Sequence, residues 1–304
     1  MRLGIYVLPN QPWSELERRW ALVEELGFDS IWDCDDLYWP QKRGGICFDG
    51  LVVLAAMAAR TTRVRIGTLM LSLPIRDNPA VLAKEIIALD HLSDGRLEFG
   101  FGAGILEGDH AGAGHEFWAK EERVARFREA VEIVDRALRE ETVSYSGKYY
   151  RTKDLWTSPG PVQRPRPPLV VGAHSAAMLR IAVEFADTWN SWGGSVATEE
   201  EAYRRTIDRS HRLDDLCADM GRDPASIARS LLVFESSGAY EVTPPTRAFS
   251  SAEGFRDLVG RYAEIGMTEL IFYFPEAKDQ ELVMEDVAAL LPELVGHKNL
   301  GSGA

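Results

Sequence analysis

Two patterns of hydrophobic and polar positions alternate along the chain: short aliphatic runs, and longer stretches with one apolar face. The runs are typical of buried parallel strands, and the amphipathic stretches of the helices that cover them. Strands are predicted over residues 3–8, 28–32, 64–71, 96–101, 169–171, 187–192, 228–235 and 269–274. Helices are predicted over 14–26, 51–60, 80–92, 121–139, 175–185, 198–220, 252–265 and 280–294. This alternation predicts a (β/α)8 TIM barrel in a single domain over residues 1–295.

The segment 63–104 shows one complete unit of this pattern. Asn78-Pro79 predicts a helix start, with an N-cap followed by proline where its missing N–H costs nothing. The next strand ends in FGFGAG, whose alternating glycines are expected to leave bare backbone for a flat ring. A doubly wound nucleotide-binding sheet is the alternative. The motif lacks both the GxGxxG spacing and the tight helix that follows it, so the barrel is favoured.

Two segments depart from the alternation. Residues 143–168, which include a proline-rich stretch, are predicted to form a loop or hairpin excursion outside the barrel. Residues 296–304 are predicted to be a flexible C-terminal tail.

Composition narrows the choice of partner. A formal net charge of −13 disfavours nucleic acid, because its binding requires a basic face. No apolar run approaches the roughly 20 residues that span a membrane, and the N-terminus lacks a signal-peptide pattern. The three cysteines form no disulfide framework. We therefore expect a cytoplasmic protein that acts on a small molecule.

In a (β/α)8 barrel the chemistry lies at the carboxyl ends of the strands. The second predicted strand is followed by Asp35 and Asp36, where crowded carboxylates raise one another's pKa and suit proton transfer. His110 follows the fourth strand and is a third catalytic candidate. The alternatives are a solvated acidic loop and an ordinary hydrogen-bonding histidine. The spacing of His110 and His115 does not fit a metal site, and none is predicted.

Other strand ends suggest a binding surface. Leu69 and Met70 are apolar and suit the back of a ring system, or plain barrel core. The stretch 172–175 opens a helix, where backbone N–H groups and a hydroxyl suit an anion such as phosphate; Ser175 would also serve as an ordinary N-cap. Aromatic residues near these ends suit the walls of a pocket for a planar or apolar substrate, or core positions. They are Trp39, Trp118 and Trp192.

Over nearly its full length, the chain resembles the bacterial luciferase-like superfamily of flavin- or deazaflavin-dependent barrel oxidoreductases. The matching motifs are LGFDSIWDCDDL, RIGTLMLSLPIRDNPAVLAKEIIALDHLSDGRLEFGFGAG, ERVARFREAVEIVDRAL, SGKYYRTKDL, PVQRPRPPLVVGAHSAAMLRIAVEFADTWNSWG and RYAEIGMTELIFYFP. The resemblance implies a homodimer and a cis peptide at or beside Leu69-Met70. It also implies that the ring lies along Ala103, Gly104 and Ile105, and that the phosphate lies at Gly172, Ala173, His174 and Ser175.

Two departures from the family pattern bear on the chemistry. Members commonly read Asp-His where this chain has Asp35-Asp36, so Asp36 is expected to take over any proton transfer. The phosphate loop reads GAHS where relatives have more glycine, which adds His174 as a donor.

Two cofactors fit the resemblance. Coenzyme F420, which transfers hydride, is favoured by the chain length and by the ADTWNSWG segment. The other is FMN, which also supports monooxygenation and then requires a separate reductase. A flavin-binding or partner protein that has lost catalysis is the alternative to an enzyme.

Overall fold

A computed structural model describes residues 1–38, 44–192, 198–233 and 248–295. Eight parallel strands close into a barrel, which confirms the predicted (β/α)8 fold. In chain order they are β1 (Arg2–Tyr6), β2 (Ser30–Asp33), β3 (Arg65–Ser72), β4 (Leu97–Gly102), β7 (Leu169–Gly172), β8 (Thr188–Trp192), β9 (Ala228–Val233) and β10 (Glu269–Tyr273). The circle closes where β1 pairs with both β2 and β10.

Helices follow the strands and pack against the outside of the barrel. They are α1 (Trp13–Leu26), α2 (Gly50–Arg60), α3 (Pro79–Leu92), α4 (Glu107–Gly112), α5 (Lys120–Arg139), α6 (Ala176–Phe185), α7 (Glu199–Met220), α8 (Ala252–Glu264), α9 (Lys278–Ala288) and α10 (Leu291–Val295). The predicted start of α3 is confirmed, since the Asn78 side chain accepts from the N–H of Val81 and Pro79 is the first helical residue.

Two predictions about helices were wrong. The predicted helices leave out the segment 107–112, which forms α4. This helix has only about one and a half turns, too few for an apolar period to show in the sequence. The segment 280–294 was predicted to be one helix and divides into α9 and α10. Pro292 explains the break, because its ring would clash with the carbonyl of Ala288 in a continuous helix.

The predicted excursion is confirmed as an antiparallel hairpin of β5 (Thr142–Ser146) and β6 (Arg151–Trp156), which pairs apart from the barrel. The proline-rich segment leads from this hairpin back to β7. Arg166 anchors it, bonding the carboxylates of Asp135 on α5 and of Asp187 before β8. The predicted tail at 296–304 lies outside the described residues.

Side chains fill the barrel interior up to its carboxyl end. A Cβ at Gly67 would lie 2.5 Å from the Trp32 ring, and one at Gly4 would lie 2.3 Å from Ser30 Oγ. These glycines therefore make room for Trp32, which is 1 % exposed. The interior cluster around it comprises Tyr6, Leu8, Cys34, Leu69, Val170, Leu232, Ile271 and Tyr273. Tyr6, Leu69 and Tyr273 of this cluster border an open space at the carboxyl ends of the strands.

An ionic network closes the opposite, amino end of the barrel. Arg2 Nη2 donates to Glu98 Oε2 at 3.0 Å and to Glu269 Oε2 at 2.7 Å. Arg65 also donates to Glu98, and Ser30 Oγ donates to Glu269 Oε1 at 2.7 Å. Both carboxylates are almost completely buried, so these bonds replace the water that they lose.

Within the described ranges, every helix is too short or too polar to cross a membrane.

Candidate active site

A cavity of about 520 Å³ lies at the carboxyl end of the barrel, and all eight strands contribute to its wall. From the ends of β1, β2 and β3 come Tyr6, Cys34, Asp36, Leu69, Met70, Leu71 and Ser72. From β4, α4 and α5 come Gly102, Ala103, Gly104, Ile105, Leu106, Asp109, Lys120, Arg123 and Val124. From β7 to β10 and α6 come Gly172, His174, Ser175, Met178, Asn190, Trp192, Leu232 and Tyr273.

One wall of the cavity is an irregular stretch of β3. The Leu69-Met70 peptide is cis, at the bond expected from the family resemblance. The register between β3 and β4 shifts between Thr68 and Leu71, and Tyr6 Oη donates to the Leu69 carbonyl at 2.9 Å. The peptide at 69–70 is thus held from the neighbouring β1 and presents Leu69 and Met70 to the cavity.

The glycines of β4 have a different role from the one predicted. A Cβ at Gly100 would lie 2.1 Å from the Thr68 carbonyl and 2.7 Å from Met70 Sδ. At Gly102 it would lie 3.3 Å from Met70 Cβ. The prediction of bare backbone is therefore wrong for Gly100, which the bulged β3 covers. Gly104 lines the cavity and has φ +72°, a left-handed conformation that glycine adopts without strain.

The segment 172–175 brings the start of α6 to the cavity. Ser175 Oγ accepts from the N–H of Met178 at 3.3 Å, so the residue is an N-cap. The first N–H groups of α6 have no partner within the helix, and they begin at this edge of the cavity. Ala173 is buried behind the wall, where its carbonyl accepts from Trp189 Nε1 at 2.8 Å. The predicted anion-binding loop thus has three of its four residues on the cavity.

His174 lies on the same side of the cavity and is neutral at pH 7. Its Nε2 accepts from the N–H of Trp192 at 3.2 Å, so the neutral ring carries its proton on Nδ1. Burial of the imidazole ring, together with the charge of the nearby Arg209 guanidinium, lowers the pKa of His174 to about 4. His174 can therefore donate one hydrogen bond without adding a charge.

The two candidate aspartates have different environments. Asp35 lies behind the wall, where it pairs with Arg76 (Nε–Oδ2 2.9 Å) and accepts from the N–H of Ser72 at 3.2 Å. Asp36 lines the cavity. Burial, together with the charges of Asp109 and Asp35, raises the pKa of Asp36 to about 7 although the Cys34 thiol opposes this shift. Of the two, only Asp36 has both the position and the pKa for proton exchange with a bound molecule.

His110 and Trp118 pack within the segment between β4 and α5 and are not part of the described cavity wall. His110 Nδ1 faces the Glu116 carbonyl at 3.2 Å, and the ring contacts that of Trp118 edge to face at 4.7 Å. Burial lowers the pKa of His110. Trp118 is 7 % exposed and stacks under the Arg126 guanidinium. Trp192 lines the cavity, and Trp39 lies outside the described residues.

Several wall residues were missed by the sequence analysis. Tyr6 is the last residue of β1 and Asn190 lies within β8. Both fall inside the predicted strands 3–8 and 187–192, so the residues that follow those strands did not include them. Asp109 belongs to α4, whose helical geometry was not predicted. Lys120 and Arg123 reach the cavity through the docking of α5, for which the sequence has no pattern. Within the described ranges, no three His, Cys, Asp or Glu side chains are grouped so as to hold a metal ion.

Comparison with known proteins agrees with this fold. A family model described as luciferase-like monooxygenase matches residues 1–241, and the chain belongs to this family. The resemblance inferred from the sequence motifs is thereby confirmed.

Relatives that match the chain include two proteins named F420-dependent glucose-6-phosphate dehydrogenase. The one from Microbacterium testaceum is 33% identical over 66% of this chain and 58% of its own length, so the match spans less than two thirds of that relative. The one from Intrasporangium calvum is 27% identical over 93% of this chain and 95% of its own. Among solved structures, the coenzyme F420-dependent tetrahydromethanopterin reductase from Methanopyrus kandleri superposes with a TM-score of 0.75. It is 18% identical and covers 97% of this chain and 99% of its own, which supports the shared barrel fold.

Proposed function

We propose that this protein is an oxidoreductase that uses coenzyme F420 to transfer hydride to or from a small organic substrate in the cavity. The observation that carries the proposal is the meeting of three features in one cavity: the cis peptide at Leu69-Met70, the start of α6, and Asp36. The names of the matching relatives favour F420 as the cofactor.

The residues of the wall suit a cofactor with a flat ring and a phosphate. Leu69, Met70 and the backbone of 103–105 form an apolar surface for the ring. The Ser175 hydroxyl accepts from Met178 N–H and still has its own proton to donate to a phosphate, beside the N–H groups of α6. Lys120 and Arg123, which also line the cavity, add positive charge to a cavity that would hold an anion.

When bound, F420 would supply the hydride chemistry. The chain contributes binding, exclusion of water and proton transfer. Tyr6 fixes the Leu69 carbonyl, and with it the surface on which a ring would rest. Asp36 then exchanges a proton with the oxygen of a carbonyl or alcohol substrate. A carboxyl with a pKa of about 7 is protonated and ionised in comparable amounts near neutral pH, so it can serve either direction.

FMN-dependent monooxygenation is the second candidate, and the description of the family favours it. The same ring surface and phosphate site would serve FMN, and a separate reductase would then have to supply electrons. We also propose a homodimer and a cytoplasmic location; the unpaired cysteines support the location.

Titration with F420 and with FMN tests the proposal, with tryptophan fluorescence as the readout because Trp192 lines the cavity. We expect tight binding of F420 and weak binding of FMN. The S175A variant should bind F420 roughly tenfold more weakly, the cost of one hydrogen bond to a charged group. The matched control is S251A, which removes the N-cap of α8 instead. Tight binding of FMN alone would favour monooxygenation, and binding of neither would refute the proposal.

A further inference from the structure

The short helix α4 lies directly against the residues that follow Asp36. Asp109 Oδ1 accepts from the N–H of Leu37 at 3.1 Å, the peptide immediately after Asp36. Asp109 is 3 % exposed, so this bond is shielded from water and its geometry is fixed by packing. Asp109 also lines the cavity beside Asp36. The Asp109 carboxylate thus holds the backbone that carries Asp36.

Two glycines of α4 make this contact possible. A Cβ at Gly108 would lie 1.7 Å from Tyr38 Oη, and one at Gly112 would lie 2.8 Å from Leu37 Cδ1. The two positions are four residues apart and share one face of the helix. A larger residue at either position would have to displace the Tyr38 or the Leu37 side chain. The face formed by Gly108, Asp109 and Gly112 is therefore shaped to hold this segment.

We propose that α4 positions Asp36 for its reaction, with Asp109 as the positioning residue and Gly108 and Gly112 as the surface on which the segment 36–38 rests. This inference rests on the proposed role of Asp36 and names a residue that acts through it. Asp109 itself needs no contact with a substrate.

The electrostatics of the cavity wall support the same arrangement. Among the described residues, the titratable groups that act on Asp36 are Asp109 on α4, and Asp35 and Cys34 on its own segment, while the Cys47 thiol donates to its backbone carbonyl. Burial raises the pKa of Asp109, and the hydrogen bond from the Leu37 N–H opposes this shift. When Asp109 is ionised, its charge disfavours ionisation of Asp36. Asp109 therefore has two separable effects on Asp36: a hydrogen bond that holds its backbone, and a charge that raises its pKa.

The D109N variant separates these effects, because an amide oxygen still accepts from the Leu37 N–H but carries no charge. The titration of Asp36 is followed by NMR in protein labelled with ¹³C at the aspartate carboxyl, with D36N to assign the resonance. We expect a midpoint near 7 in the unaltered protein and a midpoint lower by about 1 pH unit or more in D109N. The control E107Q removes an exposed carboxylate from the same helix and should leave the midpoint unchanged. An unchanged midpoint in folded D109N would overturn the charge effect of Asp109 on Asp36, whereas the positioning effect is decided by kinetics.

Kinetics test the positioning effect. D109N should shift the limb of the kcat/KM pH profile that depends on Asp36 towards acid, and its kcat should fall less than that of D109A. D109A removes the hydrogen bond too and should lower kcat, with KM little changed. G108A should have the same effect, because its Cβ displaces Tyr38. Its matched control is G260A, where the added Cβ meets nothing within 4 Å. Full kcat in both D109A and G108A would contradict positioning by α4.

The NMR experiment needs neither cofactor nor substrate. A shifted midpoint in a protein that binds no F420 would refute the proposed function and leave the role of Asp109 intact. Binding of F420 and turnover, together with an unshifted midpoint, would support the proposed function and refute the effect of Asp109 on Asp36.

Discussion

Both ends of the barrel bury carboxyl groups, but the charged groups around these carboxyls differ between the two ends. At the amino end, burial acts against ionisation of Glu98, but hydrogen bonds from Arg2 and the charges of Arg2 and Arg65 lower its pKa. At the carboxyl end, the groups that act on Asp36 are other acids and a thiol, and burial raises its pKa to about 7. Burial acts to raise the pKa of both groups, and the partners of each decide whether that shift is reversed.

Glu269 supports this interpretation within the amino end itself. It faces Glu98 and has Arg2 as its charged partner, and burial raises its pKa despite that charge. Glu98 has two guanidinium groups around it, and its pKa is lowered instead. The amino end thus pairs Glu98 with two guanidinium groups, while the carboxyl end leaves Asp36 among other acids with a pKa of about 7.

The largest effect expected from this comparison is on turnover. Asp36→Asn keeps the shape of the side chain and removes its exchangeable proton, so kcat should fall by about 10²- to 10⁴-fold. Stability to urea should stay the same or rise, since no buried cation loses a partner. Steady-state kinetics and urea unfolding check both outcomes. A folded D36N protein with full turnover would remove Asp36 from the mechanism, and E107Q again serves as the control.

Glu98→Gln should lower stability, whereas Asp36→Asn should lower turnover. It removes one charge from the network at the amino end, and we expect a loss of about 3 kcal/mol in the free energy of unfolding. This value is at the low end for a buried pair because Arg2 and Arg65 are 28% and 30% exposed. Urea unfolding measures it, with E122Q in the more exposed Glu122–Arg126 pair as a control expected to cost less than about 1 kcal/mol. A loss in E98Q no larger than in E122Q would show that the network contributes little.

The dependence of stability on pH should have opposite signs at the two ends, and this is the smallest effect. Asp36 titrates near 3.8 when unfolded and near 7 when folded, so its contribution is complete below pH 3.8 and is lost as the pH rises to 7. The pKa of Glu98 is lowered by folding, so its contribution is present above pH 4.5 and is lost as the pH falls.

These contributions are measured by comparing the unaltered protein with D36N and with E98Q across pH in urea unfolding. Each difference should change by at most about 1.4 kcal/mol per pH unit. The same slope in both differences would contradict the contrast between the two ends.

Much of the fold could be predicted because it depends on local patterns. Aliphatic runs and amphipathic stretches mark the strands and helices of the barrel, and Asn78-Pro79 marks the start of α3. The cavity follows from the fold, since parallel strands of a barrel bring their carboxyl ends together. Asp36, Met70 and Ser175 could therefore be placed at one site before any coordinates were known.

The remainder depends on contacts between segments distant in the sequence. Asp35 and Asp36 are adjacent acids, and only the folded structure shows that Asp35 pairs with Arg76 behind the wall while Asp36 lines the cavity. Asp109 gains its role from the packing of α4 on the segment after β2, which no periodicity reveals because α4 is too short to have one.

The sequence by itself determined the class of fold, the family and the end of the barrel where the chemistry lies, because these depend on local propensity and on the order of the elements. The tertiary structure decided which acids hold a proton and which residues hold them in place. A pKa depends on the charges and the loss of water within a few ångströms, and those surroundings exist only once the chain is folded.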